Sequence, residues 1–230
     1  MKKNVKDYIA FKKGEIKIPE HLKPQKKEYG GRLFKNDLLE KFTRTPIWIP
    51  QIMFICLSAL VLWQGFTITN ISIIGTIIII FLGFVSWSLS EYLVHRFLYH
   101  TETNSDALTR IQHNGHSIHH LYPKDPTRLA MPPLPALILS SMFFGLFWLI
   151  MGKFAFFFWP GFMWGYLAYI TFHYAQHRFR TPKYPPLRRL WKQHMVHHYK
   201  DPYVAYGVST QLWDFVFGTL AKDDSGKIVK

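Results

Sequence analysis

Histidine is the residue type in this chain whose placement could do chemistry. Ten of the twelve histidines fall in four short clusters: His95 and His100 in EYLVHRFLYH, His116, His119 and His120 in HSIHH, His173 and His177 in HYAQH, and His194, His197 and His198 in HMVHH. A helix advances about 100° per residue, so positions i, i+3 and i+4 share a face, and each H-x2-HH triplet is expected to form one stripe. His173 and His177 stand one turn apart. His95 and His100 are five apart and are expected to point about 140° away from each other on a regular helix. They would then serve different metals, or the helix would break near Tyr99. First-row metals take about four to six ligands, so ten imidazoles suit two ions with about five each. A lone histidine is most often an ordinary hydrogen-bonded side chain, but ten at helical spacing argue for metal. Imidazole suits iron, zinc, copper and nickel, and affinity alone favours copper or zinc. A zinc site has three or four protein ligands. An all-histidine pair with open positions looks more like oxygen-activating iron, and it departs from soluble di-iron bundles built on Glu and Glu-x-x-His. Cys56 is the only cysteine, which excludes an intrachain disulfide and any cysteine-ligated cluster.

The elements that must position these side chains are membrane helices. The 230 residues are 49% hydrophobic with a net charge of +14, and apolar runs alternate with basic ones. That pattern excludes a disordered tail protein and argues against an ordinary soluble domain. Stretches 47–64, 71–89, 134–151 and 154–172 contain no Asp, Glu, Lys or Arg. Each is long enough for a hydrocarbon core of about 30 Å at about 1.5 Å per residue. Pro160-Gly161 predicts a kink or local unwinding in the fourth. The connector 65–70 is uncharged and 152–153 carries one lysine, so the four spans pair as two hairpins. The other 27 of 28 basic residues lie in 1–45, 91–133 and 173–230. The positive-inside rule places both termini and the middle loop in the cytosol. The expected fold class is thus all-α integral membrane: four transmembrane helices as two hairpins, with a cytosolic histidine-rich helical cap (91–133 and 173–220) holding a dinuclear metal site. Residues 1–45, with His21, form a basic arm against anionic headgroups; 46–230 form the membrane domain, ending in a tail, 221–230. No signal peptide, internal repeat or nucleic-acid motif is present, so nucleic acid is not an expected partner.

Carboxylates often orient metal-bound imidazoles. Glu91 stands one turn before His95, and Asp125 and Asp201 each follow a cluster; salt bridges to Arg96, Lys124 or Lys200 are the alternative. Asp214 is a similar candidate, or a helix cap. His113 stands beside the ligands or at the interface. Phe154, Phe156–Phe158, Trp159, Phe162 and Trp164 read first as lipid contact and an interfacial aromatic belt, and otherwise as the lining of an acyl-chain path.

The ordered set H-x4-H, H-x2-HH, H-x3-H, H-x2-HH resembles the fatty acid hydroxylase superfamily of membrane di-iron oxygenases. The words SWSLSEYLVHRFLYH (86–100), HHLYPKDPTRLAMPP (119–133) and YGVSTQLWDFVFGTL (206–220) bring it nearer to the fatty acid 2-hydroxylases, and together the matches cover about residues 80–220. The resemblance implies that the ten clustered histidines are metal ligands. It implies two ions, iron expected with zinc as a substitute in purified protein, and O2 as co-substrate. A lipid acyl chain, free or within a sphingolipid, enters from the bilayer and is hydroxylated at C2. Many eukaryotic relatives carry an N-terminal haem module for which this chain has no room. Two electrons are therefore expected from a separate donor, a small haem cytochrome or a ferredoxin with its reductase. On the same ground a bacterial inner membrane is favoured over the endoplasmic reticulum. Sterol or carotenoid oxidation or desaturation is the same-superfamily alternative. A zinc-binding transport or interaction protein is the alternative of another class, although no histidine or carboxylate lies near the middle of a span, where a transport path needs one.

Overall fold

The computed structural model describes Pro24 and residues 32–229; His21 and most of the expected basic arm lie outside the described residues. Every regular element among them is helical, and one isolated bridge, Lys222 to Ile228, is the only β pairing described. The elements are α1 (Asp37–Phe42), α2 (Trp48–Ile68), α3 (Ile73–Leu93), α4 (Asp106–Gln112), α5 (Ile118–Leu121), α6 (Pro133–Met151), α7 (Ala155–Arg178), α8 (Pro185–Tyr199) and α9 (Leu212–Val216). Three continuous helical stretches are long and apolar enough to cross a membrane: Trp48–Ile68, Ile73–Tyr99 and Pro133–Arg178. The third is interrupted by one tight turn, Gly152–Phe154, beyond which α7 returns along α6. Phe144 and Phe156 meet with ring centroids 5.3 Å apart, Phe147 and Phe158 at 4.8 Å, and Trp159 Nε1 donates to the Ser140 carbonyl at 2.9 Å.

Local chemistry sets the boundaries. Ser72 begins α3 by accepting the Gly75 N–H on its Oγ, and proline opens both α6 and α8, where its missing N–H costs nothing. The outward surface is apolar: Ile73, Ile77, Leu134, Met142 and Leu149 are exposed, the last by 83%. Such a surface is stable when lipid covers it.

Lipid tails remove the hydrophobic drive between helices, so association rests on close packing. The centre of the bundle is α7, whose Phe157, Trp159, Phe162, Met163 and Ile170 are buried. Phe54 of α2 meets Trp159 and Tyr166 edge-on, and Trp87 of α3 meets Phe162 edge-on at 5.1 Å. Two glycines let α3 and α7 touch backbone to backbone. A Cβ on Gly161 would lie 2.0 Å from the Ile80 carbonyl oxygen, and one on Gly83 would lie 2.1 Å from that of Phe158.

Two expectations change here. Phe157, Trp159 and Phe162 are bundle interior, neither lipid contact nor an aromatic belt; Phe154 and Trp164 are the exposed ones. Of the kink or local unwinding expected at Pro160, the unwinding does not occur, since the helix is continuous through that residue. The turns 69–72 and 152–154 sit together, with Thr69, Asn70, Ile71, Lys153 and Phe154 lining one cavity of about 500 Å³. α3 and α7 both run away from that end, and the histidines gather where they finish.

Candidate metal centre

Past Leu93 the chain of α3 continues as a π-helical turn, Val94–Tyr99. Bonding of the i to i+5 type widens the turn, so residues five apart return to about the same face. His95 and His100 therefore point together, their rings 4.9 Å apart; of the two outcomes expected, divergence does not occur and the regular helix is lost before Tyr99. A second wide turn, His113–Ser117, leads into α5 and carries His116. His173 and His177 close the end of α7, and α8 supplies His194, His197 and His198.

These ten histidines form two groups of five: His95, His100, His116, His120 and His197, and His119, His173, His177, His194 and His198. Within each group one ring nitrogen per residue lies within 4.8 Å of all the others. The H-x2-HH triplets are not single stripes toward one ion. His116 and His120 face one group while His119 faces the other; His194 and His198 face the second while His197 faces the first. Neighbouring positions i+3 and i+4 differ by about 100°, enough for one short helix to serve two centres. His113 is exposed and belongs to neither group.

The donor atoms fit a metal. Nε2 of His116 is 2.9 Å from that of His95, 2.9 Å from that of His120 and 3.1 Å from that of His100. A ring nitrogen carries one hydrogen or one lone pair, so three such contacts cannot all be hydrogen bonds, whereas a shared cation accommodates them. In the second group His194 and His177 approach at 2.9 Å, and His119 and His198 at 3.1 Å, again through Nε2. His197 donates from Nδ1 to the Val204 carbonyl at 2.8 Å, which leaves the lone pair on Nε2, and that atom is buried without a partner. Burial pushes His116, His119, His120, His194, His197 and His198 well below the ordinary imidazole value, and the charge of neighbouring imidazoles adds to it. Neutral rings are the ligating form.

The expected carboxylate partners do other work. Glu91 accepts from the Val208 and Ser209 amides, at 2.6 and 3.0 Å, and from the Ser209 hydroxyl. Asp125 pairs with Arg44 at 3.1 Å and accepts from Thr127, and exposed Asp201 accepts from the Tyr203 amide. Glu40 meets Arg128 at 2.7 Å and Arg44 at 3.1 Å, fastening residues 40–44 to the segment after α5. Three of the rings are held by backbone carbonyls instead: His95 donates to Tyr206 at 2.6 Å and His173 to Leu129 at 3.4 Å, beside His197 on Val204, whereas Nδ1 of His119, His194 and His198 is buried without a partner. Main-chain acceptors have no side-chain signature, and sequence reasoning missed them. The nearest signal was the word YGVS at 206–209, noted only for its resemblance.

An all-helical bundle with apolar helices of membrane-crossing length, and with histidine clusters suited to metal at one end, defines a class of membrane metalloprotein. The chain belongs to the fatty acid hydroxylase family, whose pattern it matches over residues 80–219, and it is an oxidoreductase enzyme. It is 33% identical to a dihydroceramide fatty acyl 2-hydroxylase of Arabidopsis thaliana over 83% of this chain and 80% of that one. It is 31% identical to the fatty acid 2-hydroxylase of Rattus norvegicus, covering 84% of this chain and 58% of the relative. A ceramide very long chain fatty acid hydroxylase of Saccharomyces cerevisiae is 32% identical over 84% of this chain and 50% of its own. A solved structure of full-length Scs7p, in which only the hydroxylase domain is visible, superposes with a TM-score of 0.76 at 30% identity, covering 86% of this chain and 74% of that one.

Proposed function

We propose that this enzyme hydroxylates C2 of a lipid acyl chain, either a fatty acid or the N-acyl chain of a sphingolipid, with O2 and two electrons from an external donor. The observation that carries this reading is the pair of five-histidine groups at one end of an apolar bundle, in a chain similar to 2-hydroxylases of acyl chains and ceramides. The ten histidines would hold two metal ions, with iron the native metal. When bound, a redox-active pair supplies the O2 activation that no amino-acid side chain provides. The protein contributes neutral ε nitrogens aimed inward, the rings of His95, His173 and His197 fixed on carbonyls, and a dense helical cap around them.

In this reading four spans cross the bilayer as two hairpins, residues 48–68 with 73–93 and 133–151 with 155–172. The basic segments and the metal end face the cytosol. The acyl chain reaches the cap from the membrane, and a small haem cytochrome or a ferredoxin with its reductase delivers electrons from the cytosolic side.

The test is mass spectrometry of total lipids from cells that express the chain with a suitable reductase, against a His197→Ala control. One added oxygen at C2, absent in the control, is the expected result. Loss of two hydrogens, or change confined to sterols or carotenoids, would sink the C2 assignment in favour of a desaturase or sterol oxidase.

A further inference from the structure

The chain segment 204–209 bonds to the first histidine group on one side and to two buried carboxylates on the other. Its carbonyls at Val204 and Tyr206 accept the ring N–H groups of His197 and His95. Its four successive amides, from Tyr206 to Ser209, all donate to acids. Tyr206 N–H donates to Asp214 Oδ1 at 2.9 Å and Gly207 N–H to Asp214 Oδ2 at 2.8 Å; the next two go to Glu91. Asp214 is fully buried and also accepts the Thr219 hydroxyl at 2.7 Å, so its two oxygens accept from two amides and a hydroxyl. Between the two inward carbonyls, Ala205 is held at φ 56°, a conformation that L-residues rarely adopt. Strain of this kind persists only where the surroundings over-determine it, and it gathers at functional sites.

One peptide unit joins both sides. The Tyr206 carbonyl and the Gly207 N–H belong to the same amide. Asp214 holds the N–H end at 2.8 Å while His95 donates to the C=O end at 2.6 Å. A carboxylate on the N–H polarises that amide and makes its oxygen a stronger acceptor. The usual arrangement sets a carboxylate directly on the ligating imidazole, which raises its basicity and fixes its tautomer.

We propose that Asp214 is the anionic partner of His95, acting through the Tyr206–Gly207 peptide, and that Glu91 locks the same segment in place. Both are positioning residues for the first metal group, whose His95 and His197 rings are the ones this segment's carbonyls hold. The proposal rests on the metal-binding reading above, and it predicts an asymmetry between two otherwise similar centres.

The experiment titrates the full chain in detergent with cobalt(II) against a competing chelator, following metal per chain and the cobalt visible spectrum. Wild type is expected to take up two ions. Asp214→Asn keeps the size but removes the charge; it should weaken one of them 10–100-fold and shift that ion's bands while leaving the other's affinity and bands unchanged. Asp214→Glu, which restores charge, should recover part of the loss. Apo-protein melting of Asp214→Asn near that of wild type separates this from a folding defect. If Asp214→Asn does not fold, Ser209→Ala, which removes one donor to Glu91, should weaken the same single ion by a smaller factor. Unchanged binding of both ions, or equal weakening of both in a folded variant, overturns the proposal. If wild type binds two ions and forms no hydroxylated lipid, the C2 reading fails and this one stands; if wild type binds none, both fail.

Discussion

At the scale of single residues, the chain keeps its imidazoles neutral by burial. His119, His194 and His197 are at most 2% exposed, and each is held below the ordinary value of 6.5 first by desolvation and then by the charge of neighbouring rings. The sign for stability follows. Below 6.5 the unfolded chain takes up protons that the folded chain refuses, so the unfolded state binds more of them and stability drops as the pH is lowered. Bound metal adds to this in the same direction, because protons compete for the same nitrogens. Thermal unfolding in detergent should therefore show a melting temperature that is flat above about pH 7 and declines steadily toward about pH 5, with metal released over the same interval. A melting temperature constant down to about pH 5 would contradict the assignment of these rings as buried and neutral.

At the scale of elements, the contact that sets the bundle is the approach of α3 to α7. Side chains cannot intervene at Gly83 and Gly161 because the opposing atoms are backbone carbonyls that cannot move aside. Gly161→Ala should cost about 1–3 kcal/mol, the usual penalty for overpacking. Gly145→Ala is the matched control: it lies in α6 with nothing within 4 Å of the added carbon. It should change stability by no more than about 0.5 kcal/mol. Unfolding of the two variants side by side in one detergent makes the comparison. Equal stability would mean that α3 and α7 part without loss, and that aromatic packing such as Trp87 on Phe162 holds the pair.

At the scale of the whole molecule, the two metal groups are built by exchange. The half containing α3 and α5 supplies His95, His100, His116 and His120 to one group and lends His119 to the other. The half containing α7 and α8 supplies His173, His177, His194 and His198 and lends His197 in return. Each triplet thus ties the halves together, and neither group of five is complete without the other half. A double variant His116→Ala/His197→Ala removes two ligands from one group and should retain about one ion per chain. The pair His119→Ala/His197→Ala removes one from each and should weaken both. Metal analysis of purified protein reads the difference; the same loss in both pairs would show that the groups do not bind independently.

Much of this was legible in the sequence because it depends on local composition. Apolar length specifies helices of membrane-crossing size, and the count and clustering of the histidines specify which residues gather at one end of them. Two groups of about five were legible from the count, but which histidine joins which group was not. It depends on a π-helical turn at Val94–Tyr99, which rotates His100 back toward His95, and on edges of α5 and α8 that face different neighbours. The aromatic run of α7 looked lipid-facing, because its composition is the same whether the helix lies at the rim or at the centre. Only packing against α2, α3 and α6 made it interior. The partners of the imidazoles were least visible of all. The carbonyl of residue 206 meets His95 across more than a hundred positions of chain, and a backbone oxygen carries no residue code. Residue types and their clustering determined which histidines gather; the tertiary fold decided which group of five each one joins and what holds it there.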